Sequence, residues 1–61
     1  MLIFLGNLVA RIRESDYYPD DTYVLEIRFL DNPNFNLGHD YTGSFQDCIL
    51  NAVASFKCIL N

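Results

Sequence analysis

With 61 residues, the chain has room for one domain, residues 1–61, and folding at this size buries only about 60% of the surface the unfolded chain exposes. Hydrophobic residues at 51% and aromatics at 15% argue against disorder, because that much apolar surface offsets the entropy of ordering. A net charge of −4, with Arg11, Arg13, Arg28 and Lys57 as the only basic residues, argues against direct nucleic-acid binding, which needs clustered cations, and fits a basic protein partner.

The first segment, "MLIFLGN", has five apolar residues before Gly6. That is too short for a signal peptide core or for a membrane span of about 20 residues, so a soluble protein is expected. In "LVARIR", Leu8, Ala10 and Ile12 alternate with Val9, Arg11 and Arg13, the period of a half-buried strand. "MLIFL" is expected to extend this strand past a bulge or bend at Gly6. The next segment, "ESDYYPDD", is rich in turn formers and predicts a long hairpin connection. A second strand covers Thr22 to Leu30, with Tyr23, Leu25, Ile27 and Phe29 on one face. "DNPN" predicts a turn, and Phe35 to Tyr41 a third strand, with Phe35 and Leu37 inward and Gly38 interrupting it.

The helix signal is the strongest. Ser44 is placed to cap it, Asp47 and Lys57 suit the two ends of the helix dipole, and Phe45, Cys48, Ile49, Ala52, Val53, Phe56 and Leu60 form a stripe at helical spacing. Gln46, Asp47, Asn51, Ser55 and Lys57 fall off that stripe. The expected fold is α+β: a three-stranded antiparallel sheet in β-β-β-α order, with one amphipathic C-terminal helix on one face.

Cys48 and Cys58 lie ten residues apart on that helix, a separation of roughly 15 Å. A disulfide spans less than about 7 Å between Cα atoms. Two unpaired cysteines point to a reducing, cytoplasmic setting. Cys48 reads as a small core residue.

The residues "VLEIRFLDNPNF" (Val24 to Phe35) and "TGSFQDCILNAVASF" (Thr42 to Phe56) resemble the HicB-type antitoxin domain. Asp31 and Pro33 match the family's turn, Ser44 its helix-capping Thr, and Asn51 with Ala52 its mid-helix Asn-Ala pair. Asn34 stands where the family usually has Gly, and Cys48 where it usually has Ala. The resemblance implies a partial RNase H-like fold without nuclease activity, which binds and covers a small basic RNase toxin. It also implies a truncated form, because Asn61 precedes the position of the family's fourth strand and DNA-binding tail.

Catalytic chemistry finds little support. His39 and Asp40 lack a nucleophile, since Ser44 is explained by capping. One His and two distant Cys do not make a zinc site. The eight carboxylates fall mostly in turns, and Glu26 reads as a cross-strand partner of Arg11 or Arg28. No catalytic residue, metal or cofactor is assigned. The candidate contacts are Asp16, Tyr17, Tyr18, Asp20 and Asp21 on the hairpin, because exposed tyrosines anchor interfaces and acids steer basic partners. Open sheet edges and the apolar "MLIFL" further suggest a homodimer. The readings to separate are an antitoxin-like inhibitor of a nucleic-acid-acting protein such as an RNase toxin, an acidic phage-type inhibitor of the anti-CRISPR kind that imitates phosphates, a metal-dependent hydrolase, and a structural homo-oligomer.

Overall fold

The structure, a computed structural model, describes residues 1–17 and 20–61. Among them are four strands: β1 (Leu2–Leu5), β2 (Leu8–Glu14), β3 (Tyr23–Phe29) and β4 (Tyr41–Gly43). A single helix follows, α1 (Phe45–Leu60). The strands form one antiparallel meander in the order β1-β2-β3-β4. The α+β class is as expected, but the sheet has four strands where three were expected.

The additional strand comes from Gly6. Instead of bending one continuous strand, Gly6 and Asn7 form a two-residue turn that pairs Leu5 with Leu8. Gly6 has φ +57° while Asn7 stays at negative φ. This is the pattern of a turn whose twist matches a hairpin and which calls for Gly at its first central position. The β1–β2 ladder continues to Met1, whose nitrogen donates to the Ile12 carbonyl and whose carbonyl accepts from the Ile12 N–H, both at 2.8 Å.

The expected strand over 35–41 is also corrected. β4 is shorter and later, pairing only with Tyr23–Leu25. Phe35 is exposed, and Leu37 packs partly buried against the core. Local bonds hold the preceding segment out of the ladder. Phe35 N–H donates to the Asn32 carbonyl, and the N–H of Gly38, at φ +79°, donates to Asn36 Oδ1. Asp40 then ends the ladder with a side chain, its Oδ1 accepting from the Ile27 N–H at 3.4 Å.

Alternation on β2 and β3 holds as expected. Leu8, Ala10, Ile12, Leu25 and Ile27 are buried under Cys48, Ala52 and Phe56 of α1. Ser44 caps the helix, its Oγ accepting from the Asp47 N–H at 3.1 Å, which satisfies a donor the helix cannot pair internally. We expect Ser44→Ala to lower stability by about 1 kcal/mol in urea denaturation. The Tyr23 and Phe45 rings meet edge to face at 5.1 Å and hold the first turn against β3.

The buried helix stripe is rotated from the expected one. Val53 and Leu60 are 47% and 60% exposed, whereas Ser55 is buried. The cause is where α1 lies: it packs on β2, β3 and β4, so the flank carrying Val53 and Leu60 faces the uncovered side of β1.

Candidate protein-binding surface

The β2–β3 hairpin ends at the Glu14–Tyr23 pair, and the loop beyond it is closed by Ser15 N–H donating to the Thr22 carbonyl at 3.0 Å. Ser15 Oγ accepts from the Tyr17 N–H at 3.3 Å, a local turn of the kind Ser favours. Asp21 takes φ +69°, a left-handed conformation that Asp tolerates better than most residues. Asp16, Tyr17, Asp20 and Asp21 are all exposed on this one loop, Tyr17 at 94%. Tyr18, the fifth expected contact, lies outside the described residues.

Charge is distributed unevenly. Three of the four basic residues, Arg11, Arg13 and Arg28, stand on the sheet face away from α1. Two of them are engaged there. Glu26 Oε1 accepts from Arg13 Nε at 3.0 Å, Glu26 Oε2 lies 3.8 Å from Arg28, and Asp40 takes two bonds from Arg28 at 2.7 and 3.0 Å. The expectation that Glu26 faces Arg11 holds for strand register, but its side chain bonds Arg13. Among the described residues no ion pair involves Asp16, Asp20 or Asp21, so the hairpin presents its negative charge outward.

The Arg28 guanidinium holds the Asp40 carboxyl below the usual carboxylate range, and its own pKa is raised in return. A depressed folded pKa contributes stability above the ordinary Asp value of about 3.9, and this is lost as pH falls through the folded value. Asp40→Asn is therefore expected to be less stable than the parent at pH 7. The gap should close as pH drops below about 4, measured by urea denaturation across pH.

The His39–Asp40 pair does not act together, because the Asp40 carboxylate is committed to Arg28 and the Ile27 N–H. Cys48 is a buried core residue whose thiol is pushed up by burial, and Cys58 is exposed; both are free. Among the described residues no three His, Cys, Asp or Glu side chains cluster as metal ligands, and no helix is long and apolar enough to cross a membrane.

A second surface lies at "MLIFL", expected from the sequence to support a homodimer, and it includes α1 residues that the sequence did not assign to it. Leu5, Val53, Phe56 and Leu60 line an apolar groove of about 420 Å³ between β1 and the second half of α1, with Lys57 at its rim. On the opposite face, Leu2 and Phe4 are 56% and 58% exposed. The readable signal was the Gly6-Asn7 dipeptide, a two-residue hairpin turn that makes β1 an edge strand. No protein-family model, curated protein or solved structure matches the chain.

Proposed function

We propose that this chain is a non-catalytic protein-binding module that inhibits a basic, nucleic-acid-acting protein through its acidic hairpin, in the manner of the HicB-type antitoxin it resembles. The observation that carries the reading is charge segregation. Among the described residues Asp16, Asp20 and Asp21 are in no ion pair and share the exposed loop with Tyr17, while Arg13 and Arg28 are held by Glu26 and Asp40 on the open face of the sheet. An exposed aromatic on a loop that also carries three acids suits a cationic surface built for phosphates. Tyr18 is included as a contact on sequence grounds alone. The two free cysteines fit a reducing, cytoplasmic compartment.

The resemblance is carried by the turn at Asp31 and Pro33 and by the capped helix with Asn51 and Ala52. In this chain the strand beyond the expected three is β1, which precedes these elements. A second reading, an acidic phage-type inhibitor of a nucleic-acid-processing complex, draws on the same unpaired carboxylates acting as phosphate mimics.

Affinity capture from native lysate tests the proposal, using the wild type beside a variant with Asp16→Asn, Tyr17→Ala, Tyr18→Ala, Asp20→Asn and Asp21→Asn. The expected result is a basic nucleic-acid-acting protein recovered by the wild type and lost with the variant. Recovery of the same partner by both would remove the hairpin from the proposal.

A further inference from the structure

The free edge of β1 has a hydrogen-bonding pattern that can be read from its ladder. Met1 exchanges both backbone bonds with Ile12. In an antiparallel pair such residues alternate with pairs that do not bond each other. In the observed register, Met1, Ile3 and Leu5 therefore direct their N–H and C=O groups toward β2, while Leu2 and Phe4 direct theirs outward. The outward groups sit two positions apart, with Ile3 between them.

We propose that β1 pairs antiparallel with β1 of a second copy of this chain, Leu2 opposite Phe4 and Ile3 opposite Ile3 across a two-fold axis, making one continuous eight-stranded sheet. This register is the one in which both outward residues of each copy find partners, so all eight backbone groups at the edge are satisfied. The side chains are also self-complementary. On the open face, Leu2 of each copy meets Phe4 of the other, an aliphatic–aromatic pair of the kind that stabilises sheets. On the helix face, Met1 of the second copy stands opposite Leu5, at the groove lined by Val53, Phe56 and Leu60.

Charge and area favour a second copy as the occupant. Residues 1–5 carry no charged side chain, so the paired strands oppose no side-chain charges even though each chain is −4 overall; the cations nearest the seam are the Met1 ammonium, bonded to the Ile12 carbonyl, and Lys57 at the groove. The carboxylates of the hairpin loop lie beyond the end of β2, and Asp40 is neutralised by Arg28. Met1, Leu2, Phe4, Leu5, Val53 and Leu60 are all exposed. At about 100 Å² for each half-exposed apolar side chain, two copies bring together roughly 1,200 Å² at most, the low end for a specific interface. The dimer is expected to dissociate in the micromolar range and not below it. The inference stands apart from the hairpin reading, since the two surfaces share no residue.

Sedimentation between about 1 and 100 μM, a micromolar window suited to an interface of this size, is the test. The wild type should approach twice its 7.0 kDa mass, and Phe4→Lys, which charges the edge at an exposed position, should dimerise at least tenfold more weakly with an unchanged circular dichroism spectrum. Register is read by oxidation in a Cys58→Ser background. Ile3→Cys should cross-link to itself, since facing Cα atoms in a non-bonded pair lie about 4.5 Å apart, within disulfide reach. Phe4→Cys should not, because its copies lie two positions out of register, beyond the limit of about 7 Å. A wild type monomeric throughout, an undiminished Phe4→Lys dimer, or cross-linking at position 4 in place of position 3 would each overturn the proposal.

Discussion

Leu25→Ala is expected to remove about half of the chain's folding stability at 25 °C. Leu25 is fully buried in the middle of β3, between Ile12 on β2 and Tyr41 on β4, with Cys48 of α1 in the same core cluster. Truncating such a residue removes its transfer free energy and leaves a cavity, at a combined cost of about 2–5 kcal/mol. At typical per-residue values, a domain of this length has roughly 3–9 kcal/mol in all. Among the described residues the buried set is eight apolar side chains, so their neighbours have little slack to fill the space. Urea denaturation followed by circular dichroism should place the variant's midpoint far below that of the parent. Leu2→Ala, on the exposed edge strand, should shift it by less than about 1 kcal/mol. Comparable costs at the two positions would mean that the core is not where the structure places it.

Neutralising the hairpin with Asp16→Asn, Tyr17→Ala, Asp20→Asn and Asp21→Asn is expected to weaken binding to the captured partner by at least 100-fold while leaving stability within about 1 kcal/mol. Removing three acids takes the net charge from −4 to −1. Most of the loss from the Asp changes should therefore appear in the association rate, and the parent's binding should fall more steeply with salt than the variant's. Tyr17→Ala should act through dissociation, because its ring is 94% exposed in the free chain and contributes only once a partner covers it. Asn is the chosen replacement at position 21 because that residue sits at φ +69°, which Asn adopts as readily as Asp. Association and dissociation rates at two salt concentrations separate these contributions.

The elements that could be read from the sequence are those whose evidence is local. The Leu8–Ala10–Ile12 and Tyr23–Leu25–Ile27 alternations gave β2 and β3 their faces, and Ser44 marked the helix start within one residue. What could not be read depended on where whole elements lie. "MLIFL" is apolar at every position, so it has no alternation to separate it from β2; the Gly6-Asn7 turn was the discriminating signal. Phe35 and Leu37 have the spacing of a strand, yet the Asn-rich segment around them bonds to itself, and only Leu37 reaches the core. Val53 and Leu60 match the helical stripe, but a stripe defines the buried face only to within a flank. The lateral position of α1 over β2, β3 and β4 decided which flank stayed open.

The same limit applies to the surface. The acids and Tyr17 were readable because turn chemistry places them outside the sheet. The pairing of Asp40 with Arg28 was not, since the two are separated by a loop whose path no local signal specifies. That pairing withdraws one carboxylate and one cation from any external ligand, whereas among the described residues Asp16, Asp20 and Asp21 are in no ion pair.

The central claim, inhibition by a non-catalytic chain acting through its hairpin, is tested most directly by the rate at which the captured partner processes its nucleic acid as this protein is titrated in, with the protein alone as the control. Stoichiometric loss of the partner's activity is expected with the wild type, little loss with the hairpin variant, and no turnover by the chain itself. Turnover by the chain alone, or equal inhibition by wild type and variant, would contradict the claim.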